Sequence, residues 1–198
     1  MIAKKLGIVI AAVLVAAVAG GASAADEEAK SFVDKAAYFS AGGVYAIENV
    51  DHAAISGDLS DSGGYDLRLG YFVHHNVGVE FEWQSMVNFD SDVSSEDSVE
   101  ARMASFNGRY SPLSGRFQPY VLGGMGWFNV QSDHESGQPN LHKSSFAMRF
   151  GLGLLTYISA RSGVSLEAGY ILPLTGDLAG GESFELIPIS LSFFFRFS

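Results

Sequence analysis

From about residue 36 onward, large apolar residues recur at every second position. In Tyr65-Asp66-Leu67-Arg68-Leu69-Gly70-Tyr71 the odd positions are large and apolar, and the even ones are Asp, Arg and Gly. Val77-Gly78-Val79-Glu80-Phe81-Glu82-Trp83-Gln84 repeats the split. Between 146 and 156, Phe146, Met148, Phe150, Leu152 and Leu154 alternate with Ala147, Arg149, Gly151 and Gly153. Between 164 and 172, Val164, Leu166, Ala168, Tyr170 and Leu172 oppose Ser165, Glu167 and Gly169. The chain ends on Ile187, Ile189, Leu191, Phe193, Phe195 and Phe197 against Pro188, Ser190, Ser192, Phe194 and Arg196. A period of two puts alternate side chains on opposite faces of a strand. Segments 36–48, 99–110 and 117–130 also look strand-like, but their faces are ambiguous. The count is about eight strands, each long enough for the ~9–11 residues of a tilted membrane strand.

Connections alternate strictly between short and long. His74-His75-Asn76, 111–116 and 160–163 are short; 49–62, 87–98, 131–144 and 175–184 are long. The long ones hold Asp51, Asp58, Asp61, Asp90, Asp92, Glu96, Asp97, Asp133, Glu135, Asp177 and Glu182, with Lys143 as their only Lys or Arg. Outer-membrane barrels pair short periplasmic turns with long outer loops. The expected fold is therefore all-β: an antiparallel up-and-down transmembrane β-barrel of about eight strands, with four long outer loops and three short periplasmic turns.

Alternation alone also fits a soluble lipocalin-type barrel with its apolar face inward. The polar face decides between them. It carries Asp66, Arg68, Glu80, Glu82, Glu100, Arg102, Arg149, Glu167 and Arg196, interspersed with Gly, Ala and Ser. Small residues and near-balanced Arg and Glu suit a narrow interior, whereas a soluble face would carry Lys and would not place costly Gly in strands. These nine residues are the expected lumen ion-pair network. A three-residue turn at 74–76 sets Val73 opposite Val77, and Arg68 then falls opposite Glu82.

The beginning of the chain follows a different rule. Lys4 and Lys5 precede an uncharged apolar run over residues 6–19, followed by Gly20-Gly21-Ala22-Ser23-Ala24. This is a secretory signal peptide pattern, with cleavage expected before Ala25. Residues 1–24 are thus a leader, 25–35 a charged periplasmic lead-in, and 36–198 the barrel. The apolar run falls short of the ~20 residues of a spanning helix. The full chain has a formal charge of −10, and cleavage would remove Lys4 and Lys5 but no acid, taking it to −12. An acidic chain argues against nucleic acid as a partner. With no cysteine, disulfides and thiol chemistry are excluded.

Several segments resemble a known family, the small eight-stranded outer-membrane barrels that include the barrel half of OmpA, OmpX, OmpW and the opacity proteins. Gln118-Pro119-Tyr120-Val121-Leu122-Gly123-Gly124-Met125-Gly126 resembles the family's Pro-Tyr strand with spaced glycines, and Asn107-Gly108-Arg109-Tyr110 resembles the strand before it. Leu191, Phe193, Phe195 and Phe197 resemble its assembly signal, although Ser198 follows the terminal aromatic. The resemblance implies residence in the bacterial outer membrane, with membrane lipid and the barrel-insertion machinery as partners. It does not name a loop partner.

Candidate chemistry is sparse. His142-Lys143-Ser144 is locally similar to outer-membrane lipid A deacylases, with His as base and Ser as nucleophile. Glu167 is the only later intramembrane acid that could orient the His. The alternative is a polar loop end, and no catalytic residue is assigned. His74 and His75 are adjacent in a turn, while His52, His134 and His142 fall in loops. None matches a spaced metal-ligand motif, so neither metal nor cofactor is expected. Trp83, Trp127, Tyr65, Tyr71, Tyr120, Tyr157 and Tyr170 are read as interfacial girdles where they face outward. The favoured function is structural, protective or loop-presenting, around a charge-filled lumen. The alternative is a narrow channel, or transport of small or apolar molecules.

Overall fold

The computed structural model describes residues 35–49, 62–91, 94–133, 141–174 and 185–197. Eight strands form one closed barrel: β1 (Ala37–Asn49), β2 (Ser62–His74), β3 (Val77–Ser91), β4 (Ser94–Tyr110), β5 (Phe117–Asp133), β6 (Leu141–Tyr157), β7 (Ser162–Pro173) and β8 (Glu185–Phe197). Each pairs antiparallel with its chain neighbours, and β1 pairs with β8 to close the sheet. Closure leaves no edge strand and satisfies the backbone without water, as lipid requires. The leader and most of the lead-in, residues 1–34, lie outside the described residues.

The alternation is inside-out relative to a soluble protein. Leu69 is 60% exposed and Phe106 65%, while Arg68 and Arg149 are fully buried. This excludes the lipocalin-type arrangement: the apolar face is the outer wall. The ambiguous segments fall into phase. Tyr38, Ser40 and Val44 of β1 point inward, with Phe39 and Tyr45 outward. In β5, Gln118, Tyr120, Leu122 and Phe128 point inward, with Val121, Met125 and Trp127 outward.

Three expectations change, the first being the loop 131–144, into which β5 runs as far as Asp133 and from which β6 starts at Leu141. The segment 87–98 is mostly strand: β3 runs to Ser91 and β4 starts at Ser94, with register shifts after Met86 and Asp90. The polar run that reads as a loop is a hairpin continuing beyond the neighbouring strands. At the β2–β3 turn, His74 rather than Val73 faces Val77, and a bulge between Phe72 and His74 takes up the extra residue. The bulge absorbs the difference locally, so Arg68 still pairs with Glu82.

The other short turns are held by local bonds. Gln118 Nε2 donates to the Gly115 carbonyl at 3.0 Å, and Gly115 has φ 132°, a conformation that favours glycine. Ser159 Oγ accepts from the backbone N–H groups of Arg161 and Ser162 at 3.2 and 3.1 Å. The β7–β8 ladder omits Gly169 and Tyr170, pairing Ala168 with Ile189 and then Ile171 with Leu186. This gap lies at Pro188, which has no N–H to donate.

Candidate functional site

The interior side chains form three layers. At the short-turn end lie Tyr38, Phe72, Tyr120, Leu122, Leu155, Tyr157 and Phe194. Four of these aromatics cover the glycine directly opposite on the next strand: Tyr38 over Gly70, Phe72 over Gly78, Tyr120 over Gly153 and Phe194 over Gly163. The glycines leave the space that the rings fill, a device that also pins strand register. Here Tyr120 and Tyr157 depart from the girdle reading: both are buried in the lumen. At the long-loop end, Val44, Ala46, Met86, Ala101, Met103, Phe128, Ala147, Ile171 and Leu186 form a second apolar layer.

Between them sits a charged layer. The buried ionisable residues of opposite sign are Asp66, Glu80, Glu82 and Glu167 against Arg68, Arg109, Arg149 and Arg196, four of each among the described residues. Arg68 Nη1 reaches Glu167 at 2.7 Å, and its Nη2 donates to Ser190 Oγ at 2.8 Å. Its Nε lies 3.0 Å from Asp66 and 3.1 Å from Glu82 but makes no aligned hydrogen bond to either. Those two contacts are charge pairings, and the directed bonds belong to the terminal nitrogens. Arg149 bridges Glu167 and Glu82, the latter at 3.0 Å, and donates to Gln84 at 2.9 Å. Arg109 pairs with Glu80 at 2.7 Å and lies over the Tyr120 ring, 4.1 Å from its centroid.

Neutral groups complete the layer. Tyr120 donates to Glu167 at 2.7 Å, Tyr38 to Glu80, Ser192 to Asp66 at 2.8 Å, and Asn107 to Glu82 at 3.0 Å. Arginine suits such a layer because its planar fork binds several acceptors at once. Charges inside a membrane protein are tolerated where they face the interior and pair.

Of the nine residues expected here, Asp66, Arg68, Glu80, Glu82, Arg149 and Glu167 come together. Arg196 is buried nearby at a different level, against the Phe72 and Tyr157 rings. Glu100 and Arg102 do not belong. They lie on the outer wall, where Arg102 Nε and Nη2 each donate to a Glu100 carboxylate oxygen at 2.7 Å. The β3–β4 register puts Ala101 opposite Met86 and Met103 opposite Gln84, so the odd positions of β4 point inward. Arg109 and Asn107, which the sequence reading missed, share that phase. The signal was present in Phe106 and Tyr110: large aromatics at even positions near the turn mark the lipid face.

Of the His142–Ser144 pair, the His142 side chain lies outside the described residues. Ser144 is on the outer wall with its hydroxyl bonded to Asn129, whereas Glu167 is enclosed in the lumen by Arg68, Arg149 and Tyr120. The barrel wall separates the two. The rings of His74 and His75 meet at a tilt of 42° where β2 enters its turn, their centroids 3.8 Å apart. No group of three or more metal-ligating side chains occurs among the described residues. His52 and His134 lie outside them.

The outer wall changes character toward the long loops. Trp83, Ala104, Trp127 and Phe146 occupy one continuous row across β3–β6. Two residues further along every strand the row is Ser85, Arg102, Asn129 and Ser144. Trp83, Glu100, Arg102, Asn129, Gln131 and Ser144 line a crevice of about 250 Å³ there.

An eight-stranded closed barrel with an apolar exterior and a charge-paired interior defines an outer-membrane protein. The profile of the family described as "Outer membrane protein beta-barrel domain" matches residues 10–197, and the chain belongs to that family. It is a protein of the bacterial outer membrane. No curated protein sequence matches it. Among solved structures it resembles Neisserial surface protein A, with a TM-score of 0.62, 12% identity, and 81% of this chain and 97% of that chain covered. The attachment invasion locus protein Ail of Yersinia pestis, in complex with the heparin analogue sucrose octasulfate, gives 0.58, 16%, 83% and 99%. OprG from Pseudomonas aeruginosa gives 0.58, 15%, 82% and 97%. At these identities the likeness is one of fold.

Proposed function

We propose that the protein is a sealed outer-membrane barrel whose role is structural, protective or loop-presenting. The observation that carries this is the three-layer interior, in which a charge-paired layer lies between two apolar ones. An eight-stranded barrel is only wide enough for side chains, and these fill it. The outer loops are acidic by sequence, so a loop partner would be a basic surface. The heparin analogue bound to Ail is polyanionic, and acidic loops whose nearest basic residue, Lys143, belongs to β6 do not suit such a ligand.

Export and assembly complete this reading. Residues 1–24 serve as a cleaved leader and 25–35 as a periplasmic lead-in. Leu191, Phe193, Phe195 and Phe197 all face outward on β8, which suits display to the insertion machinery as the terminal signal.

The test is single-channel conductance of the mature protein in a planar bilayer, with heat-modifiable gel migration as the folding check. Folded, inserted protein is expected to stay at baseline; steady openings would reject the sealed reading. One observation favours transport of small apolar molecules instead. The β7–β8 ladder passes over Gly169 and Tyr170 beside Pro188, the place in the wall where an apolar solute would leave the barrel on that reading. That reading predicts uptake of an apolar solute into protein-bearing vesicles without ion conductance.

A further inference from the structure

We propose that the outer-wall crevice at the long-loop end of β3–β6 seats one sugar ring of an outer-leaflet glycolipid. The apolar wall ends abruptly there. Phe81, Phe106, Met125 and Met148 form one row, and Trp83, Ala104, Trp127 and Phe146 the next. The following row is polar on all four strands. Hydrocarbon cannot solvate such groups, so this row stands at headgroup level, with tryptophans at the boundary as in interfacial belts. The long loops mark the external side, and the external leaflet of this kind of membrane presents glycolipid sugars at that height.

The lining fits a saccharide better than a phosphate. Among the described residues Arg102 is the only cation in the crevice, and Glu100 already engages two of its nitrogens at 2.7 Å. The pair is neutral and half-exposed, at 48% and 27% of the side chains. The rest of the lining mixes donors and acceptors: the Asn129 and Gln131 amides, the Ser144 hydroxyl and the outer edges of the ion pair. Ser144 already bonds Asn129 Oδ1, which fixes that amide's orientation. Trp83 supplies an apolar wall against which the C–H face of a ring can lie. At about 250 Å³ the crevice is smaller than the ~300–1,000 Å³ of drug-sized ligand sites, which suits a single ring.

The experiment uses folded full-length mature protein carrying Trp127→Phe, which leaves Trp83 as the only tryptophan. Detergent-dispersed lipopolysaccharide is titrated while Trp83 emission is followed. A saturable change is expected, and Asn129→Ala with Ser144→Ala should raise the half-saturation point roughly tenfold, the effect of losing about 1.4 kcal/mol of hydrogen bonding. Both side chains are on the outer wall, so folding should survive, as heat-modifiable migration will show. An unchanged titration in the double variant would overturn the proposal. So would an equal response to a phospholipid of matched acyl chains. If the acyl-free saccharide bound as tightly as the whole lipid, the site would serve a soluble glycan and the lipid assignment would fall. None of these outcomes depends on lumen conductance, so this proposal and the sealed-barrel reading fail separately.

Discussion

Glu167 accepts hydrogen bonds from three lumen side chains. It meets Arg68, Arg149 and Tyr120, and its loss leaves two arginines short of a partner in an enclosed space. Removing one member of a buried ion-pair cluster costs about 3–5 kcal/mol, much of it the penalty of stranding the other charges. Glu167→Ala is expected to lower unfolding free energy by that amount in a urea titration of refolded protein. A loss under about 1 kcal/mol would mean that water or a neighbour replaces it. Arg68 and Glu82 pair directly across β2–β3. A double-mutant cycle on them should give a coupling of about 0.5–3 kcal/mol, and additive losses would place them apart. The sequence anticipated this pairing through a turn read one residue too long, and the bulge between Phe72 and His74 makes up that residue and restores the register. Arg109 was harder to place, because in 99–110 charged and apolar residues occur on both parities.

At the scale of the strand, phase is the controlling variable. A one-residue slip moves every side chain to the other face, and in this barrel that would put arginine into lipid. The structure shows Leu69 outward beside inward Arg68, midway along β2. Leu69→Arg is expected to cost about 2–4 kcal/mol near the midplane, and Val73→Arg, beside the short turn, about 0–1 kcal/mol. The comparison is made by equilibrium refolding into lipid vesicles. Equal costs at the two sites would contradict the depth assignment. β4 shows how phase can mislead when read from charge. Glu100 and Arg102 share a parity with Phe106 and Tyr110, and all four face outward; the strand leaves the hydrocarbon partway along. A strand longer than the membrane is thick follows one alternation with two different solvents on the same face.

For the whole molecule, the sealed-barrel reading implies redundant closure. The charged layer lies between the Tyr38–Phe194 layer and the Met86–Leu186 layer, and each apolar layer spans the interior. Emptying the middle alone should therefore leave the lumen shut. The double variant Glu82→Ala with Arg149→Ala, checked for folding by gel migration, is expected to lose stability yet stay at baseline in bilayer recordings. Openings in that variant would show that the ion-pair layer is itself the seal. In either case stability and closure become separable measurements.

The sequence by itself determined the strand count, the inside-out polarity and most lumen residues. Each of these is a local property of alternation and turn spacing, and the barrel's narrow bore then requires small or paired inward groups. Tertiary structure decided what depends on contacts across the barrel. Tyr38 and Tyr120 reach carboxylates on strands they do not pair with, β1 to β3 and β5 to β7, while Arg109 meets Glu80 diagonally on its paired neighbour β3. The covering of Gly70 and Gly153 by tyrosines likewise depends on which strands pair. Glu100 and Arg102 leave the lumen because the β3–β4 register, set by the whole hairpin, overrides the appearance of a charged face. Alternation can say that a residue faces away from its neighbour; only the closed sheet says what it faces.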